Sequence, residues 1–168
     1  MHSHANRGKE LEDLIEAVNE GYALDGKAVI DKQHTKWLPI RGRDGAFISA
    51  KVDRPATVDF RGTVKGVGGV SFDAKQVTKQ KRWYLRELKP HQVEHLKKCQ
   101  AVGDVCFVLV GFWNAGLFFI LPLNKYLSLQ KQGIKSLTID RFQKEGIPIK
   151  NIYRYLDYLP LSQKAETA

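Results

Sequence analysis

The sequence predicts a mixed α/β fold, one mixed sheet flanked by helices in a single domain over residues 1–168, with a basic segment projecting near 39–56. Three observations predict it. The chain opens with apolar residues at helical spacing. Its middle holds strands of both the half-buried and the fully buried kind. The patterns then run in the order helix, strands, helix, strands, helices, which suits one sheet covered by helices. A length of 168 residues is enough for one domain with a sizeable core and short for two. No internal repeat or interdomain linker divides it.

Leu11, Leu14, Ile15, Val18 and Tyr22 in NRGKELEDLIEAVNEGY recur at helical spacing, giving one face for a core, and Gly26 lies just past the end. KAVIDKQHTKWL, 27–38, alternates as a strand. PIRGRDGAFISAKVDRPA, 39–56, breaks the pattern. Pro39, Gly42, Gly45 and Pro55 punctuate it, and Arg41, Arg43, Lys51 and Arg54 surround the apolar AFISA, so it reads as a projecting hairpin or flexible arm. TVDFRG and GVSFDAKQV are two strands of a hairpin joined through the Gly-rich GTVKGVGG. KQKRWYLRELK is a basic loop with aromatics, ended by Pro90. A helix follows over PHQVEHLKKCQAVG, with Pro90 in its first turn and Gly103 beyond its end. DVCFVLVGF is a near-continuous apolar strand of the kind covered on both faces, and AGLFFILP pairs with it through Trp113 and Asn114. From Leu123 the pattern gives shorter helical segments and an aromatic tail, NIYRYLDYLPL.

Lys and Arg number 27 against 18 acids, a net charge of +9, and such an excess attracts polyanions. Solubility alone explains many basic proteins, but here the cations cluster. Arg41, Arg43, Lys51 and Arg54 form one group, and Lys79, Lys81, Arg82 and Arg86 another. Nucleic acid is the partner this favours. No apolar run reaches membrane-spanning length and MHSHANRGKE carries no apolar signal region. Cys99 and Cys106 read as core thiols of a cytoplasmic protein.

SFDAKQ, 71–76, places an acid and a lysine two positions apart in an otherwise buried run. In an extended strand they share a face, about 6–7 Å apart, with Phe72 and Ala74 on the other. Folding the hairpin brings Asp59 beside Asp73. Two carboxylates with a free carbonyl, such as that of Ala74, make a hard-oxygen site for Mg²⁺, which keeps waters and reaches for phosphate. Lys75 at its edge orients or activates a water and offsets transition-state charge. The plain alternative is a surface ion pair worth at most about 1 kcal/mol.

Asp59 followed by Asp73-Ala-Lys75 resembles the PD-(D/E)xK nuclease signature. NRGKELED at 6–13, VDFRG at 58–62, FDAK at 72–75, HQVEHL at 91–96 and GDVCFVLV at 103–110 resemble, in order, the RecU family of bacterial Holliday junction resolvases. The resemblance implies a restriction-endonuclease-like fold. It also implies a homodimer that cuts four-way DNA junctions symmetrically with Mg²⁺ or Mn²⁺ in recombination, repair and chromosome segregation, with recombination proteins as possible partners. In that reading Asp59 and Asp73 are metal ligands, Lys75 is the catalytic lysine, Glu12 supports the metal through water, and Gln92 lies at the rim. Residues 39–56 take the place of the family's stalk, which engages the junction centre. Arg7 and Arg61 lie near the acids, where they either hold phosphate or pair with those acids. The family carries Glu where Asp73 stands and Thr where Val58 stands. The alternatives are a related repair or restriction-type nuclease acting on duplex DNA, and a non-catalytic junction-binding accessory.

His91 and His95 stand at i, i+4, but a zinc-protease motif needs Glu where Gln92 stands. Glu10, Glu12 and Asp13 also suit a helix's first turn simply as acids. Trp83 and Tyr84, among cations, suit either stacking on an unpaired base or core burial. Trp113, Phe118 and Phe119 suit packing or a dimer interface.

Overall fold

The computed structural model describes residues 8–54, 56–79, 81–152 and 155–159. Helix α1, Lys9–Leu24, buries Leu11, Ile15, Val18 and Tyr22 as their spacing predicts. Strand β1, Ala28–Lys32, buries Ala28 and Ile30 and turns Val29 and Asp31 outward. Here the expectation of one strand over 27–38 is corrected. The chain leaves the sheet at Gln33–Thr35 and starts a new strand, β2, at Lys36–Arg41, which pairs antiparallel with β3, Phe47–Arg54. Every residue of β2 is exposed, Trp37, Leu38 and Ile40 included. This segment cannot sit inside a large sheet, because Pro39 has no N–H for a ladder. The ribbon begins three residues before the predicted stalk and is a sheet of its own, reversing direction at Gly45 (φ 80).

Strands β4, Phe60–Val64, and β5, Gly68–Val77, form the predicted hairpin, with Phe60 opposite Phe72. Gly62 is required where β4 meets β1: a Cβ there would stand 2.0 Å from the Val29 carbonyl oxygen. Beyond β5 the basic loop contains a short strand, β6, Arg82–Tyr84, and a 3₁₀ turn at Leu85–Glu87. Helix α2, Pro90–Ala101, then carries the chain to β7, Val105–Phe112, which lies parallel to β5 and is buried at every position. Strand β8, Leu117–Pro122, returns antiparallel beside it.

The tail departs from expectation. After α3, Leu123–Lys131, it contributes strands as well as a helix: β9, Ser136–Thr138, paired with β6; then α4, Ile139–Glu145; then β10, Ile147–Ile152, and β11, Tyr155–Asp157. The last two extend the main sheet, whose order is β1-β4-β5-β7-β8-β10-β11. β9 and β10 find their partners far back in the sequence, in β6 and β8, so local patterning carries little of their signal.

Two apolar layers cover the sheet. On the α1 side the rings of Phe60, Phe72 and Phe107 stack across β4, β5 and β7, at 5.1 and 4.6 Å between centroids, which locks the three central strands together. Tyr22 donates to Asp157 Oδ1 at 2.8 Å and accepts from the Tyr158 N–H, tying α1 to the far edge. On the other side Trp83, Phe119 and Phe142 pack with Val93 and Leu96 of α2. Trp83 is fully buried, so of its two readings the core one holds. Phe118 and Phe119 are likewise packing residues, and Cys99 and Cys106 are buried free thiols. Among the described residues no helix is long and apolar enough to cross a membrane.

Candidate active site

Alternation along β5 sends Phe72, Ala74 and Gln76 toward α1, and Ser71, Asp73, Lys75 and Val77 toward α2. Asp59 does not lie within a strand as expected. It stands one residue before β4, where its carbonyl accepts from the Gln33 N–H at 2.7 Å and fixes the bend. Its carboxylate Oδ2 accepts from the Ala74 N–H at 2.9 Å, placing it between Asp73 and Lys75.

Asp73 has no solvent exposure. Its Oδ1 accepts from Gln92 Nε2 at 2.7 Å, and its Oδ2 pairs with the Lys75 ammonium. Gln92 is itself held, since its Oε1 accepts from the Lys89 N–H at 2.9 Å at the start of α2. Gln92 is therefore buried and in direct contact with Asp73, where the resemblance implied a place at the rim. The α2 crossover packs against the sheet at this point, which spacing along the chain does not reveal. Lys75 is 18% exposed and forms the side of the group that solvent reaches. Glu12 approaches from α1, its Oε2 3.2 Å from Lys32 Nζ, which also meets Glu16 at 3.2 Å.

Burial pushes the Asp73 carboxyl up to about 7; the Lys75 charge pulls it down and Asp59 pushes it further up. For Lys75, burial acts downward, but the charges of Asp73, Asp59 and Glu12 outweigh it and hold the ammonium above its ordinary range. Asp59 and Asp73 thus share the Lys75 ammonium, while Glu12, whose charge also acts on Lys75, is itself paired with Lys32. Two carboxylates on one ammonium fit a further cation. Among the described residues no group of three or more His, Cys, Asp or Glu side chains gathers to ligating distance. The donor set is two carboxylates, to be completed by backbone carbonyl and water. Magnesium suits such a set.

The predicted DNA-facing cations fall in three places. Arg41, Arg43 and Lys51 are exposed on the β2–β3 ribbon, with Arg41 Nη1 donating to the Gly45 carbonyl at 3.1 Å; Arg54 ends β3. Lys79, Lys81 and Arg82 border a cleft of about 600 Å³ floored by Val77 and Phe112, just beyond Lys75 along the same strand. Arg61 faces Asp104 at 3.7 Å, not Asp59 or Asp73. Arg7 lies outside the described residues. Tyr84 is half-buried under the Arg86 guanidinium, 5.0 Å from the ring centroid. His91 is exposed, and His95 contacts Cys99 Sγ at 3.3 Å, so the two share no site. Sequence reasoning missed Lys32 and Gln76. Gln76 accepts from the Leu11 N–H at 3.0 Å and donates to Glu10 Oε2 at 2.8 Å. Both residues act across long sequence separations and belong to no local motif.

A family model described as Recombination protein U matches residues 6–164. The Holliday junction resolvase RecU of Ligilactobacillus salivarius (strain UCC118) is 37% identical, covering 85% of this chain and 70% of its own length. That of Limosilactobacillus reuteri (strain DSM 20016) is 34% identical, covering 87% of this chain and 76% of its own. That of Oenococcus oeni (strain ATCC BAA-331 / PSU-1) is 30% identical, with coverages of 96% and 86%. With a match over nearly its whole length and an acidic, lysine-bearing centre on the middle strands of its sheet, the chain belongs to the RecU family.

Proposed function

We propose that this chain is a Holliday junction resolvase: a divalent-metal-dependent endodeoxyribonuclease that cuts four-way DNA junctions symmetrically in recombination and repair. The observation that carries the reading is the meeting of Asp59, Asp73, Lys75 and Gln92 at one place in a chain of net charge +9. The names of its relatives support it.

Asp59 and Asp73 hold Mg²⁺ or Mn²⁺, with the Ala74 carbonyl and water completing the shell and Glu12 acting through water. When bound, such an ion polarises the phosphate and lowers the pKa of a water. Gln92 holds Asp73 Oδ1 and Lys75 pairs with Oδ2, so a bound ion would share this carboxylate with both side chains. Asp73 must shed the proton that its burial favours below about 7, so loading strengthens as pH rises through neutrality. Lys75 remains charged, neutralises phosphate and orients the attacking water. Arg7, Arg41, Arg43, Lys51, Arg54, Arg61, Lys79, Lys81 and Arg82 supply phosphate contacts that recognise shape over sequence. The reading carries a homodimer with it, since the two cuts fall on strands related by a two-fold axis and one chain holds one centre.

The test compares a four-way junction with linear duplex of the same sequence, in Mg²⁺ and in EDTA. Paired nicks at symmetric positions, in the junction and with Mg²⁺ only, are expected. Equal cutting of duplex would make the chain a repair or restriction-type nuclease, and a band shift without nicks in Mg²⁺ would make it an accessory.

The ribbon gives a second expectation. Replacing residues 37–52 by a short Gly-Ser link removes Arg41, Arg43 and Lys51 and leaves the seven-stranded sheet intact. Tm should stay within about 4 °C. The slope of log affinity for the junction against log salt should flatten by about 0.9 per lost phosphate contact. A product that does not fold would mean the ribbon supports the core, and unchanged salt dependence would remove it from the DNA interface.

A further inference from the structure

We propose that Gln76 is a positioning residue: its carboxamide caps helix α1 from strand β5 and thereby holds Glu12 at the acidic centre beside Lys75. Its consequence for cutting rests on the resolvase reading, while the clamp itself is testable without DNA.

The first N–H groups of a helix have no partner within it and need an acceptor. Helix α1 starts after Gly8, and no side chain at that position caps it. The acceptor comes instead from 65 residues away, as Gln76 Oε1 receives the Leu11 N–H at 3.0 Å. The other end of the same amide donates to Glu10 Oε2 at 2.8 Å. Gln76 directly follows Lys75 and faces the opposite side of β5, so one peptide step joins the helix clamp to the lysine. On the helix, Glu12 directly follows Leu11. Its Oε2 pairs with Lys32 at 3.2 Å, and its Oε1 lies 3.4 Å from where a Cβ on Gly8 would stand. A side chain at position 8 would therefore be in ordinary contact with that carboxylate, while glycine offers no cap of its own and the cap comes from β5.

Glutamine suits the task because one planar group both accepts from the backbone and donates to Glu10. Glutamate at 76 would keep the acceptor but face Glu10 with like charge. Methionine would keep the length and lose both bonds.

Gln76→Met, Gln76→Glu, and Gln76→Glu combined with Glu10→Gln make the test. Amide exchange of the α1 N-terminus, Mn²⁺ binding without DNA, and cutting at varied Mg²⁺ and junction concentration are read. Gln76→Met should speed exchange at Leu11. It should also lower Mn²⁺ affinity and kcat by about 10–100-fold, the usual effect of losing a group that orients a ligand, with KM for the junction unchanged. Gln76→Glu should keep Leu11 protected yet lose Mn²⁺ affinity and kcat. Adding Glu10→Gln, which exchanges donor and acceptor, should bring both back to within about threefold of wild type. Faster exchange with wild-type Mn²⁺ affinity would reduce Gln76 to a helix anchor, and unchanged exchange would remove the clamp; either overturns the proposal. If wild type cuts no junction while the exchange and Mn²⁺ results hold, the resolvase reading fails and the clamp stands.

Discussion

Asp73→Asn should stop junction cutting while leaving junction affinity within about twofold in EDTA, since phosphate contacts and not this carboxylate carry binding. Removing a metal-ligating carboxylate forfeits several kcal/mol of transition-state charge stabilisation, so a drop of at least about 10³-fold is expected. Equal loss of binding and cutting would deny Asp73 a metal role. The same substitution has a signature in stability. In metal-free wild type the folded protein holds a proton on Asp73 up to about 7, well above the ordinary carboxylate value of 3.8. Between those two pH values the folded state binds more protons than the unfolded one, so stability contributed by this group falls as pH rises. Asparagine does not titrate. The Tm of wild type relative to Asp73→Asn should therefore decline from pH 5 to pH 8 without metal. Added Mg²⁺ should raise the wild-type Tm at pH 8 and leave that of the variant unmoved. A Tm difference independent of pH would show that Asp73 is ionised throughout.

Lys75→Met carries the second large effect, on two observables. Cutting should fall by about 10²–10³-fold, the usual loss when a preorganised positive group is removed from a reacting phosphate. Folding suffers as well. The ammonium is the cation paired with a carboxylate that has no solvent exposure. Deleting one partner of such a pair costs about 3 kcal/mol, which lowers the Tm of a domain this size by roughly 6–12 °C. The cost belongs to pH 8 without metal. At pH 5 Asp73 takes a proton and most of the loss should disappear, as it should in the double variant with Asp73→Asn. A large Tm deficit that persists at pH 5 would mean that Lys75 stabilises the fold through packing of its stem.

Much of this arrangement can be read from residue order, because much of it is made by alternation. The i, i+2 relation puts Asp73 and Lys75 on one face, and a run of apolar residues from Val105 to Phe112 makes a strand buried on both faces. The spacing of Leu11, Ile15, Val18 and Tyr22 makes α1. What escaped reading depends on partners far along the chain. The depth of Gln92 follows from how α2 lands on the sheet, and the Arg61–Asp104 contact from the parallel pairing of β5 with β7. Strand β10 takes the edge that β8 offers, and β11 then pairs with β10. The break after β1 is hidden because Trp37 and Leu38 read as the continuation of a strand over 27–38, yet both face solvent.

The parallel pairing of β5 with β7 also has a consequence for when the protein acquires its chemistry. The hairpin bearing Asp59, Asp73 and Lys75 is local and can close early, whereas Gln92 and the strand that cements β5 arrive only after a long crossover has been looped back. Closing such loops is slow compared with forming a hairpin. A ribosome-bound fragment ending before residue 112 would thus carry its acids and lysine in an unbraced ribbon. Competence to break DNA would come only once β7 has been made and has paired with β5.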